Sequence, residues 1–152
     1  MAAQIFTPPN RLADTITGRD APTMAELTLA AEGRAADLGD SIRAFLDEKV
    51  HQILRFSDAS EETLFADCQT LGDDARHVAE VAGAAGRDVT GEICLGISAM
   101  IDALTRQGVW HSDALRVHLY ALSIAAQSKT DDEPGTILER LKLMRSTLGI
   151  SD

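Results

Sequence analysis

Between Ala75 and Leu104 apolar residues return every three or four positions, and the run is interrupted once, at a corner of small residues, Ala82-Gly-Ala-Ala-Gly86. That period puts the apolar side chains on one face of an α-helix, whereas a half-buried strand needs alternation by two. The stretch therefore predicts two helices joined by a glycine-bearing corner. Its small residues let the two backbones approach closely. The core such helices share has to be aliphatic, because aromatics make up only 4% of the 152 residues. Aliphatic and Ala-rich cores favour close-packed helices over a β-sandwich, and a chain of this length can bury one full-sized core.

The same period extends over most of the chain. Thr23-Met-Ala-Glu26 is a capping-box signature. It opens a first helix whose stripe is Leu27, Ala31, Leu38, Ile42, Phe45, Ile53 and Phe56, and which should stop near Ser57. At 1.5 Å per residue that helix is roughly 50 Å long, longer than any later one. An overhanging apolar stripe needs cover, so a partner subunit and a homodimer are expected. Glu61 and Glu62 suit the start of a second helix, with Leu64, Cys68, Leu71, Ala75, Val78 and Ala82 facing inward and Gly86 as its stop. A third helix should run from Val89 to Gln107, with Gly108 just past its end. Ser112 is the expected N-cap of a fourth, which places Leu115, His118, Leu119, Leu122, Ala125 and Ala126 on one side. Pro134 opens a last helix that buries Ile137, Leu138, Leu141, Met144 and Leu148 and ends at Gly149. The expected fold is all-α: an up-and-down antiparallel bundle of four to five helices with a long first helix. Residues 1–22 carry Pro8-Pro9 and Ala21-Pro22 and read as an irregular or partly disordered arm, leaving 23–149 as a single domain.

The net charge of −10 repels phosphate backbones and anionic lipid, which excludes nucleic acid and membrane surfaces as expected partners. No run of 18 apolar residues is present to span a bilayer. The beginning of the chain lacks the basic flank and apolar centre of a secretory signal, so a cytoplasmic protein is expected. Cys68 and Cys94 both fall inside apolar helical patterns and read as free, buried thiols.

Signatures of catalysis are missing from the sequence. It contains no phosphate-binding glycine loop, no Gly-x-Ser-x-Gly elbow and no His-Glu-x-x-His. His111 and His118 lie two helical turns apart, and cysteines and histidines are too dispersed for a closed zinc site. Neither a metal nor a cofactor is expected. Histidine phosphotransfer is the one chemistry a bundle of this size commonly performs. It needs an exposed mid-helix histidine, a nearby donor for the phosphoryl group and small residues one turn on. His77, one position off the Val78 stripe and followed by Ala82 to Gly86, is the candidate phospho-acceptor. Around it stand Asp73, Asp74 and Glu80, which would repel a phosphoryl group. An unreactive surface histidine is the favoured reading.

Other residues carry weaker signals. His118 sits on a buried side by spacing and reads as a core histidine satisfied by a hydrogen bond. Trp110 reads first as a lid over the bundle end, and with His111 and Arg116 it forms the candidate partner-contacting group. Arg116, Arg140, Lys142 and Arg145 read as solvated faces, with a basic patch for an acidic receiver surface as the functional alternative. Asp102 flanks an apolar stripe and should be half-exposed.

Several pieces of the second half form a recognisable series. They are Ala82-Gly83-x-x-Gly86, Gly91-Glu92, Met100-Ile-Asp-Ala-Leu104, and Gly108-Val-Trp-His-Ser-Asp-Ala-Leu-Arg-Val-His118-Leu-Tyr-Ala-Leu122. In these, from Val78 onward, the chain resembles the small CheE-type proteins encoded among bacterial chemotaxis genes. The resemblance covers the C-terminal half and leaves out the first helix and the arm. It implies an accessory of chemotaxis or two-component signalling and no active site. In outline the chain also resembles histidine-phosphotransfer domains, which usually read His-x-x-Lys-Gly. Here Glu80 and Val81 stand where the lysine and glycine would be. The combined expectation is a non-enzymatic adaptor, binding a receiver domain or histidine kinase through a helix face. Phosphotransfer at His77 is the alternative.

Overall fold

The computed structural model describes residues 22–128 and 134–150. Among them are six α-helices and no strand: α1 (Met24–Leu54), α2 (Glu61–Ala66), α3 (Cys68–Ala82), α4 (Asp88–Gln107), α5 (Ser112–Gln127) and α6 (Pro134–Thr147). The protein is an all-α helical bundle. The N-terminal arm expected over residues 1–22 lies, apart from Pro22, outside the described residues. Chain contacts divide the molecule into two compact units at Leu38/Gly39, within α1.

In the first unit the only described element is the opening half of α1. The capping box forms as its sequence requires: the Thr23 hydroxyl accepts from the Glu26 N–H at 3.2 Å, and the Thr23 N–H donates to the Glu26 carboxylate at 2.7 Å. The Thr23 N–H first, then the Thr23 hydroxyl, which donates to the same carboxylate at 2.9 Å, hold the Glu26 carboxyl below its ordinary range.

The second unit is the packed bundle. The end of α1 contributes Leu46, Val50 and Ile53, an i, i+4, i+7 row that is buried. Ile53 is buried as expected, while Leu46 and Val50 replace the Ile42 and Phe45 of the expected stripe. Phe45 is 45% exposed, because the face turned to the bundle is centred on Leu46. Along the next segment the stripe Leu64, Cys68, Leu71, Ala75, Val78 and Ala82 is buried as expected. The helix that carries it breaks at Asp67 (φ −100°, ψ 11°), so two helices stand where one was expected. Ser60 caps the first of them, its side chain accepting from the Thr63 N–H.

At the corner Gly86 takes φ 68°, and the Arg87 N–H returns to the Ala82 carbonyl at 2.9 Å. A left-handed residue with that bond pattern stops a helix and turns the chain. α4 then comes back antiparallel along α3. A Cβ on Gly91 would meet the Ala82 Cβ at 2.9 Å, and one on Gly72 would meet Ile101 at 3.2 Å, so the two helices touch near both ends. Their pairing is the most extensive in the bundle. α4 is the central element. It buries Ile93, Cys94, Ile97, Met100 and Ile101, and it packs on α3, α5 and α6.

α5 begins at Ser112 itself, with His111 in the capping position and no side-chain cap. This corrects the N-cap role expected of Ser112. Leu115, His118, Leu119, Leu122 and Ala125 are buried as the spacing predicted. α6 ends at Gly149 (φ 74°), where the Ile150 N–H bonds the Arg145 carbonyl at 2.9 Å and the Ile150 side chain turns into the core.

The larger departure from expectation is Arg145, which is only 4% exposed. Its Nη1 donates to the Nε2 of fully buried His118 at 3.1 Å, and His118 Nδ1 lies 2.9 Å from the Ala114 carbonyl. A carbonyl only accepts and a guanidinium only donates, so these partners assign the neutral Nδ1–H tautomer to His118. Gly96 makes room for the pair. A Cβ there would stand 2.5 Å from Arg145 Nη1 and 2.9 Å from His118 Cδ2. Gly96→Ala should therefore cost about 1–3 kcal/mol through overpacking. The check is a lowered midpoint in urea unfolding followed by circular dichroism, and an unchanged midpoint would show that the notch at Gly96 is not needed.

Candidate functional site

Three places bring together the residues singled out in the sequence. The first is the solvent face of α3. His77 is exposed in the middle of that helix. Its neighbour Arg76 turns towards α4, where it bonds the Ser98 hydroxyl at 3.2 Å and Asp102 at 3.3 Å, and it also pairs with Asp73 at 3.1 Å. The cation next to His77 in sequence is thus committed to neighbouring side chains. Asp73 and Glu80, one turn to either side, are exposed with the imidazole. The geometry offers an accessible histidine in an acidic setting, which disfavours a bound phosphoryl anion.

The second place is the corner before α5, where Trp110, His111 and Arg116 gather. The Trp110 indole N–H donates to Glu61 at 2.6 Å, and its ring meets Phe65 edge-on at a centroid distance of 5.4 Å. The guanidinium of Arg116 donates to the carbonyls of Ser57 and Ala59 at 2.9 and 2.7 Å. Both residues fasten α2 and the preceding turn to the start of α5. Arg116 was expected on a solvated face; its two donors instead satisfy backbone carbonyls in the turn between α1 and α2. His111 occupies the capping position without a side-chain cap bond. The Ser112 hydroxyl first, then the Trp110 indole, hold the Glu61 carboxyl below its ordinary range, and Arg116 adds to this.

The third place was not legible from sequence. α3, α4 and α6 enclose a groove of about 580 Å³ whose floor is Leu95, Ala99 and Ser98. Its walls hold Arg76 and Glu80 on one side and Lys142 on the other, Lys142 pairing with Glu92 at 3.1 Å. Asp102, half-exposed as its position predicted, closes the far end. A second hollow of about 490 Å³ shares Ala99 and Asp102 and continues past Arg106 to Ile150. The spacing of Glu92, Leu95, Ala99, Asp102 and Arg106 by three and four marks one row along α4. That signal was present in the sequence, but charged residues among apolar ones read there as an ordinary flank.

Two residues expected to be inert are placed accordingly. Cys68 and Cys94 are free and buried, and burial pushes the Cys94 thiol up to about 12. Among the described residues no group of three or more His, Cys, Asp or Glu is placed to hold a metal ion. No described helix is long and apolar enough to cross a membrane.

Fold and surface together define a helical bundle with one polar inter-helix groove and one polar corner before α5. No family model, curated protein or solved structure matches the chain.

Two measurements check these placements. Because the folded protein holds Glu61 below its ordinary value of 4.5, ionised Glu61 stabilises the corner at neutral pH, and that contribution disappears as pH falls through the lowered value. Emission of Trp110, the one tryptophan, should shift as pH drops below 4.5 in the wild type and stay flat in Glu61→Gln. Cys68 and Cys94 should resist a thiol-reactive disulfide dye at pH 8 in the native state and react fully in guanidinium. Fast labelling of the native protein would contradict their burial.

Proposed function

We propose that the chain is a cytoplasmic, non-catalytic helical adaptor of a bacterial chemotaxis or two-component pathway, working as a homodimer and binding a receiver domain or histidine kinase through one helix face. The observation that carries this reading is the outer side of α5. Tyr120 is 68% and Val117 47% exposed there, on a helix whose inner side is filled. A large aromatic standing out of a regular, well-anchored helix costs little ordering entropy on binding, and tyrosines of this kind often dominate interface energies. The C-terminal resemblance to CheE-type proteins, which includes this helix, supplies the pathway. The Trp110 and Arg116 corner supports the face by fixing the start of α5.

The alternative is phosphotransfer, favoured by the exposed imidazole of His77 in mid-helix and disfavoured by Asp73 and Glu80 beside it. Receivers and kinases encoded beside the gene are the proteins to test, by titration calorimetry and by phosphate transfer from a labelled kinase. Tyr120→Ala should weaken binding about tenfold or more while helicity is unchanged. If none of those proteins binds, the adaptor reading fails. Label appearing on the wild type but not on His77→Ala would replace it with phosphotransfer.

A further inference from the structure

The groove on α4 has the dimensions and charge order of a helix-binding site. From Glu92 to Arg106 its floor is a single helical row, about 21 Å long at 1.5 Å per residue. The floor side chains are small or half-exposed: Ala99 lies between Leu95, 50% exposed, and Asp102. A helix axis can approach such a floor closely, with α3 and α6 as walls. Charge along the groove is ordered. Glu80 and Glu92 stand at the end near the start of α4, with Lys142 tied to Glu92. Arg76 and Arg106 stand at the other end, on either side of Asp102. Apart from buried Arg145, three cations and three acids balance along the groove, in a chain whose net charge is −10.

One helix segment of this protein matches that description. Met24–Leu38, the opening half of α1, is about 21 Å long by the same rise. It is the only described element of its unit, and it exposes Leu38 at 61%. Leu27, Ala31, Arg34 and Leu38 share one side of it by spacing, with Ala31 small at the centre. Its acids, Glu26, Glu32 and Asp37, outnumber its one base, Arg34. A free helix of this length is marginal in water and gains most from a neighbour that covers its apolar side.

We propose that the α3–α4–α6 groove of one copy receives the Met24–Leu38 segment of a second copy, lying antiparallel to α4. In that direction Glu26 comes to the Arg76 and Arg106 end, while Arg34 comes with Asp37 to the Glu80 and Glu92 end and offsets its charge there. The antiparallel arrangement also opposes the two helix dipoles favourably. Two copies exchanging the segment close a dimer with two such contacts. This inference rests on the homodimer part of the reading above and gives its contact surface.

The test uses the full chain. Mass by light scattering after gel filtration reports the oligomer. Ala31→Cys and Ala99→Cys are prepared separately, mixed and oxidised; buried Cys68 and Cys94 do not compete. The expected results are a dimeric wild type and a disulfide-linked pair in the mixed sample. Self-association should be weakened about tenfold or more in Ala31→Lys, which puts a long charged side chain where small Ala31 meets Ala99 on the groove floor. Ala31 is exposed on a helix, so the lysine leaves folding intact, and circular dichroism verifies it. A monomeric wild type at the highest soluble concentration overturns both the dimer and this contact. A dimer that forms no mixed disulfide, and that Ala31→Lys leaves unchanged, overturns the contact while the homodimer reading stands.

Discussion

The bundle depends on one buried polar contact, the guanidinium of Arg145 against the imidazole of His118. Taking an arginine out of water costs several kcal/mol unless its donors find acceptors, and here one acceptor is a ring nitrogen held in the right tautomer by the Ala114 carbonyl. The contact joins α5 to α6 beneath α4, and it exists only because Gly96 leaves space where any side chain would collide with both partners. Three helices are thereby fixed in rotation about their own axes, a specificity that interchangeable aliphatic contacts do not provide by themselves. Among the described residues no buried side-chain nitrogen or oxygen lacks a hydrogen-bond partner, so the polar groups inside the bundle hold it together rather than straining it.

That joint also shapes the surface. With Arg145 drawn inward, α6 settles beside α4 at a distance that leaves a groove, and Lys142, one turn earlier, reaches Glu92 on the groove's edge. Arg76 closes the opposite wall by bonding Ser98, itself buried, and Asp102. The exposed pairs contribute little to stability individually; their effect is to hold long side chains out of the floor and in a defined charge order. At the other end of the bundle Glu61, Trp110 and Arg116 do comparable work, spanning chain separations of about fifty residues to tie the α1–α2 turn to α5. The outer side of α5 is left regular and open.

Helices three to five of the expected bundle were legible because their evidence was redundant. Stripe and stop agreed on where they run, and Gly108 and Gly149 both adopt the left-handed conformation that their stop positions call for. α1 was legible in extent but not in orientation. Ile42 and Phe45 lead into Ile53 at as good a spacing as Leu46 and Val50 do, and periodicity alone does not say which neighbouring face meets the core. The break at Asp67 was invisible for a related reason, since the stripe Leu64, Cys68, Leu71 keeps its spacing across it. His118 was placed correctly by its period. Arg145 was misplaced because a charged residue is assigned outward by default, and its partner lies 27 positions away.

What the amino-acid order determined by itself is local: which segments are helical, where most of them start and stop, and that a net charge of −10 keeps the surface acidic. Those properties follow from dihedral preferences, side-chain period and composition, which act within a few residues. Tertiary structure decided which side of α1 is inside, that Arg145 is buried and Arg116 anchored, and that Glu92, Arg76 and Lys142 line one groove. Each of these depends on atoms brought together from distant parts of the chain, where the space left by a glycine or the reach of a guanidinium settles the outcome.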